Sequence, residues 1–197
     1  MKRSATAAIA ACSFLAGCFH PPAPLLDEYG AVADFALTER SGRIVRRDDL
    51  LGRVWVASFI FTCCTQSCPQ ISGSMARLQH ELVDQPDVRL VSFSVYPESD
   101  TPEVLRSYAE AYRADPERWW FLTGPKESLY DLIRGSFHLG VEPTTGAARR
   151  PGNEVLHSSK LVVVDRRGVI RGYFDGTNPD EVPRIGVCVR RLLREKT

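Results

Sequence analysis

The sequence predicts an α/β fold: a central sheet flanked by helices, with a closing β-hairpin and a C-terminal helix. Two observations carry this. Short apolar runs rich in β-branched and aromatic residues alternate with longer stretches whose apolar residues recur at helical spacing. Late in the chain, two strand-like runs flank Arg166-Arg167-Gly168, the pattern of a hairpin with glycine at its turn.

The elements follow in order. Val54 to Phe61 (VWVASFIF) is apolar throughout, as expected of a strand buried on both faces of a sheet. Pro69 to Leu82 carries Ile71, Met75, Leu78 and Leu82 on one helical face. Val88 to Val95 repeats the strand pattern. Thr101 to Tyr112 reads as a helix with Thr101 as N-cap, Pro102 at the first helical position and Glu103 just inside it. Arg118 to Leu122 is a short strand and Lys126 to Phe137 an amphipathic helix. Lys160 to Asp165 and Val169 to Phe174 form the hairpin. Pro179 to Glu195 closes the chain as a helix with Val182, Ile185, Val189, Leu192 and Leu193 on one side, and Pro183 falls early enough for its first turn. Ala33 to Val45, around Gly42, suggests a further small hairpin ahead of the core. Strands alternating with helices and ending in a hairpin and helix describe a thioredoxin-like sheet.

The first 17 residues are set apart. Lys2 and Arg3 precede a small-residue and apolar run, Ser4 to Leu15, far shorter than the ~20 residues of a spanning helix. Leu15-Ala16-Gly17-Cys18 then resembles a bacterial lipobox. That resemblance implies cleavage before Cys18, lipidation of Cys18, and a domain tethered to a membrane on the periplasmic side. The alternative is an ordinary secreted chain with a chance cysteine there. The expected organisation is a signal peptide over 1–17, a lipidated tether over 18–29 and a thioredoxin-like domain over 30–197.

Lys2 and Arg3 are the only charged residues before Cys18, so the remainder holds 23 basic and 24 acidic residues. Nothing in that balance points to nucleic acid or an anionic surface as partner. Beyond Cys18 the cysteines are Cys63, Cys64, Cys68 and Cys188, three of them within six residues. In an oxidising compartment thiols tend to be paired, metal-bound, catalytic or buried.

Phe61-Thr-Cys-Cys-Thr-Gln-Ser-Cys-Pro69 joins the first core strand to its helix, where open α/β sheets hold their sites. If the segment forms a first helical turn, Cys64 and Cys68 share a face, with Cα atoms roughly 6 Å apart. Reduced, such a pair can bind a soft metal; oxidised, it can close into a disulfide. His157 precedes the Lys160 strand, in a connection that folds back beside the same helix in a thioredoxin-like sheet. Two thiolates and an imidazole suit Cu(I), whereas zinc would want a fourth ligand. From the residues alone, a surface or hydrogen-bonded loop histidine is the favoured reading of His157, and a structural disulfide is the lesser alternative for Cys64 and Cys68.

The motifs extend further. Phe61-Thr62-x-Cys64-x-x-x-Cys68-Pro69, Met75-Ala-Arg-Leu-Gln79, Ser94-Val-x-Pro-Glu-x-Asp100-Thr-Pro-Glu103, Trp120-Phe-Leu-Thr-Gly124 and His157-Ser158 with the Val-Asp-x-x-Gly hairpin occur in order. Together they resemble the SCO/SenC family of thioredoxin-fold copper proteins over most of residues 30 to 195. The resemblance implies Cys64, Cys68 and His157 as copper ligands, Cu(I) as the metal, and assembly of the binuclear copper centre of cytochrome c oxidase, by copper delivery or by reduction of the target's cysteines. The partner implied is a copper-receiving oxidase subunit or another periplasmic copper or thiol protein. Three positions depart from the family pattern: Thr65 stands where proline is usual, Tyr96 where aspartate is frequent, and Cys63 is an added thiol.

The remaining candidates read as structural. Cys63 is expected to be a small buried side chain at the strand end and Cys188 an inert buried thiol. His80 is expected on a solvated helix face, His138 near a helix end, and His20 in the tether. Trp119 and Trp120 read as packing residues, Arg149 and Arg150 as solvated loop. Three functions compete: a Cu(I) metallochaperone using all three ligands, a thiol–disulfide oxidoreductase needing only Cys64 and Cys68, and a thiol peroxidase, for which no arginine- and threonine-supported peroxide site is evident.

Overall fold

The computed structural model describes residues 26–195; the expected signal segment, Cys18 and His20 lie outside them. Among the described residues no helix is long and apolar enough to cross a membrane. Seven strands form one sheet in the order β2-β1-β5-β4-β3-β8-β9. β3 (Val54–Ile60), β4 (Val88–Ser94) and β5 (Trp119–Thr123) run parallel, with Ser58 beside Ser92 and Ser92 beside Phe121. β1 (Ala36–Glu39) joins β5 antiparallel and forms a hairpin with β2 (Ile44–Arg46), as the Gly42 turn suggested. Gly42 has φ +90°, a conformation few other residues adopt. On the other flank β8 (Lys160–Val164) and β9 (Ile170–Asp175) complete the expected closing hairpin.

Every residue of β3 is buried, the direct consequence of its unbroken apolar run in mid-sheet. The two parallel crossovers run through α1 (Cys68–Glu81) and α2 (Pro102–Ala111). Right-handed crossovers in one direction place both helices on one face. Their contact agrees, the Ser72 and Tyr108 hydroxyls being 2.8 Å apart. α4 (Glu181–Arg194) packs against α1 and so shares that face. Its buried Val182, Ile185, Val189 and Leu192 are the expected stripe, and Cys188 is buried with them. Thr101 caps α2, its side chain accepting from the Val104 N–H.

Beneath α1 and α2 the Ser58 and Ser92 hydroxyls meet at 2.7 Å, and Trp119 Nε1 donates to Ser92 at 2.9 Å. The opposite face is aromatic. Phe137 lies 5.0 Å from Phe59, 5.6 Å from Phe93 and 6.1 Å from Trp55, ring centre to ring centre. The helix expected over 126–137 is α3 (Lys126–Asp131) continuing into a wider π-helical turn, Leu132–Ser136. His138 follows with φ +52°, and the Leu139 N–H returns to the Ile133 carbonyl, closing the helix end.

Two features go beyond the expected elements. A separate two-stranded sheet, β6 (Val141–Pro143) with β7 (Val155–His157), occupies what reads in the sequence as a loop. Its strands are three residues long, too short for a periodicity to be seen. Residues 26–29, the end of the expected tether, lie against β9: Arg171 donates to the Leu26 and Asp27 carbonyls, and Tyr29 stacks edge-on to Tyr173.

Candidate metal centre

The site forms at the carboxyl ends of β3 and β4. Phe61 ends the buried run, and Thr62 is pinned from below by Asp100, which is fully buried. The Thr62 N–H and hydroxyl donate to Asp100 Oδ1 at 3.1 and 2.7 Å, and the Ser94 hydroxyl donates to Oδ2 at 2.6 Å. A carboxylate accepting three buried donors is a rigid footing for the residues that follow.

Cys64 and Cys68 are not both helical. α1 starts at Cys68, with Pro69 just inside it, and Cys64 lies in the preceding loop. The first-turn geometry read from the spacing is thereby corrected: the loop, not a shared helix face, brings the two sulfurs together. The chain between them curls so that the Gln66 N–H points at Cys64 Sγ from 3.5 Å. Cys68 is buried and Cys64 half-buried. His157 ends β7, opposite Val141. Its Nε2 lies 3.4 Å from Cys68 Sγ, and its Nδ1 is 3.0 Å from the Ser158 carbonyl. A carbonyl only accepts, so Nδ1 carries the proton and the Nε2 lone pair faces the sulfurs. Phe61 meets the imidazole edge-on at 5.6 Å and fixes its plane.

The three donor atoms of Cys64, Cys68 and His157 lie within 4.8 Å of one another. A three-coordinate ion with bonds of about 2.0–2.3 Å needs donors about 3.5–4.0 Å apart. Shifts below an ångström would close the set. Two sulfurs with one imidazole form a soft, low-coordinate site, and among the described residues no fourth metal-ligating side chain joins the cluster.

Electrostatics split the two thiols. The hydrogen bond from Cys68 holds the Cys64 thiol down at about 4, outweighing burial, with further help from the backbone N–H groups of Cys68 and Gln66. The same bond, and then burial, push Cys68 far above the ordinary thiol range. One sulfur is thus a ready thiolate and the other holds the proton. Chemically the pair can take up a soft cation with loss of that proton, or present Cys64 as a nucleophile with Cys68 behind it.

Cys63 overturns its expectation: it is exposed, not buried, with Sγ 3.8 Å from Glu154 Oε2. The strand has ended at Ile60, so the alternation that would have turned Cys63 inward no longer applies. Tyr96 packs edge-on to Phe61 at 6.2 Å, His80 is exposed, and Trp119 and Trp120 are buried, as packing residues should be. Arg149 and Arg150 are exposed on the β6–β7 connection. Asp100 carries a footing role that its place in a sequence motif did not reveal. The signal available was a buried-type Ser94 and an N-capping Thr101 flanking an acidic residue.

The family model described as SCO1/SenC matches residues 25–186. The SCO1 protein homolog of Bacillus subtilis is 34% identical over 147 residues, 74% of each chain. A protein of Stutzerimonas stutzeri, provisionally named as copper-binding, is 31% identical over 153 residues, 76% of this chain and 72% of that one. The solved structure of BsSco, described as having a disulfide switch and as a member of the Sco family of cytochrome c oxidase assembly proteins, superposes with TM-score 0.74 at 29% identity. It covers 86% of this chain and 98% of that one. With this sheet, this dithiol loop and a match over most of its length, the chain belongs to the SCO1/SenC family.

Proposed function

We propose that this chain is a periplasmic metallochaperone that binds one Cu(I) through Cys64, Cys68 and His157 and delivers it to the copper-receiving subunit of cytochrome c oxidase. Cys18 is the lipid anchor in this reading and holds the domain at a membrane surface. The carrying observation is the convergence of two sulfurs and one imidazole nitrogen within 4.8 Å. The Cys64 thiolate binds the cation first, and loss of the Cys68 proton completes the pair. Three soft ligands leave the metal open to an incoming sulfur or nitrogen from the partner, so transfer proceeds by ligand exchange rather than release. The copper-binding name of the Stutzerimonas relative and the oxidase-assembly description of BsSco support the assignment. X-ray absorption of the Cu(I)-loaded protein should find two sulfurs and one nitrogen. His157→Ala should weaken Cu(I) binding, measured by competition with a chromophoric chelator. Unchanged affinity in that variant would remove the three-ligand reading.

One observation favours a second reading, a thiol–disulfide oxidoreductase: Cys64 is the accessible, acidic thiol and Cys68 the buried, protonated one, the asymmetry of an attacking and a resolving cysteine. Here the dithiol reduces the partner's disulfide and becomes a disulfide itself. Partner reduction that survives His157→Ala, together with function in cells that also survives it, is the result expected of this alternative alone.

A further inference from the structure

His157 reaches the sulfurs on an element outside the main sheet. The β6–β7 pair is a two-stranded sheet of its own, so contacts along its length must set where the imidazole lies. At its base Arg134 donates to the Val141 carbonyl at 2.6 Å, and the Ser158 N–H returns to Gly140 at 3.2 Å. Near its tip the hairpin lies along the dithiol loop. The Thr65 N–H donates to the Gly152 carbonyl at 3.3 Å, and Cys63 meets Glu154. Glu154 is itself held, Oε1 accepting from the Gly152 N–H at 3.1 Å. Gly152 is buried at φ +84°. A Cβ there would sit 2.4 Å from Thr65 Oγ1 and 2.7 Å from its Cγ2. The loop and the hairpin therefore press against each other at this pair, and only glycine permits it.

We propose that the Thr65–Gly152 contact is the seat that holds the hairpin, and with it His157, against the dithiol, making both residues positioning residues for the metal's third ligand. The inference rests on the ligand set proposed above. Thr65 supplies what a proline at this position could not, a backbone N–H for the Gly152 carbonyl. Its side chain fills the space over the glycine. Neither residue touches the metal.

The test is Gly152→Ala on the full chain, measuring Cu(I) affinity by chelator competition and the nitrogen ligand by X-ray absorption. The added methyl lifts the hairpin, so affinity should fall about tenfold, the lower end for a lost supporting contact to a ligand, and the nitrogen should be lost. In a His157→Ala background the same change should have no further effect, because the seat acts only through that imidazole. Thr65→Ala added to Gly152→Ala removes the atoms at 2.4 and 2.7 Å, leaving Cβ at 3.0 Å, and should restore part of the affinity, the strain of an alanine at φ +84° remaining. Wild-type affinity with the nitrogen retained in Gly152→Ala overturns the proposal. So does an equal fall in the His157→Ala background, which would mark general destabilisation. The single His157→Ala variant separates this from the ligand assignment. No effect there removes the ligand set, whereas a normal loss there with none in Gly152→Ala removes only the seat. A metal-free reading stands beside these: the Thr65 amide, bonded to the Gly152 carbonyl in the parent, should exchange with solvent hydrogen faster in Gly152→Ala than in the parent.

Discussion

Replacing Asp100 separates a charge from a set of hydrogen bonds. Asp100→Ala deprives three buried donors of their acceptor: the Thr62 N–H, the Thr62 hydroxyl and the Ser94 hydroxyl. A buried donor left unpaired costs about 1–3 kcal/mol. Relief of a buried carboxylate's own desolvation offsets part of the sum, so a net loss of about 3–4 kcal/mol is expected, in the range seen when one partner of a buried charged group is removed. Asp100→Asn keeps one oxygen for both Thr62 donors and turns its amide toward Ser94, whose hydroxyl can accept. Its cost should stay within about 1 kcal/mol. Burial pushes the Asp100 carboxyl above its ordinary value, against the opposing bonds from Ser94 and Thr62. A carboxyl raised in the folded state contributes stability below the unfolded value near ~3.9 and loses it as pH rises through the folded value. Asp100→Asn cannot ionise, so it should gain on the parent across that window. Urea unfolding of the reduced, metal-free proteins at several pH values measures all of this. Equal stabilities for the alanine and asparagine variants at neutral pH would refute the reasoning, because the footing would then not depend on an acceptor at that place.

Other perturbations address the thiols and the core. Alkylation of reduced Cys64 should proceed at a nearly constant rate from pH 8 to 5 and slow only near 4; a midpoint near the free-thiol value of about 8.5 would contradict the thiolate assignment. Because its folded value is depressed, Cys64 stabilises the reduced protein increasingly from about pH 4 upward, and that contribution should disappear as pH falls through about 4 in unfolding experiments. Phe137→Ala empties the aromatic face shared with Trp55, Phe59 and Phe93 and should cost about 3–5 kcal/mol by thermal or chemical unfolding; a loss below 1 kcal/mol would mean the ring does not hold that face. Ser92→Ala strands the Ser58 hydroxyl and Trp119 Nε1, for about 2 kcal/mol. The Ser58→Ala and Ser92→Ala effects should fall short of additive in the double variant, since they share one bond; strict additivity would deny the coupling.

Much of the architecture was legible because its causes are local. An unbroken apolar run has one comfortable place in a sheet, and Val54 to Ile60 occupies it. Thr101-Pro102-Glu103 announces a helix start whatever surrounds it. The part that escaped was the β6–β7 pair, whose three-residue strands are too short to carry a pattern. Cys63 was misread for a related reason: alternation was extended beyond Ile60, where the strand stops and the chain turns. Cys64 outside the helix shows the same limit, since spacing alone cannot say where a first turn begins.

Taken by itself, the sequence determined the sheet and its helices, a cluster of thiols at the end of a buried strand, and a family resemblance that named the histidine. These follow from periodicity, caps and motif order, properties that neighbouring residues decide among themselves. Only the tertiary structure decided that His157 faces the sulfurs with its Nε2 lone pair, that Asp100 underpins the loop, and that Thr65 meets Gly152. Those contacts join residues 38 to 89 positions apart. Chain distance says nothing about such meetings; they arise from how whole elements pack.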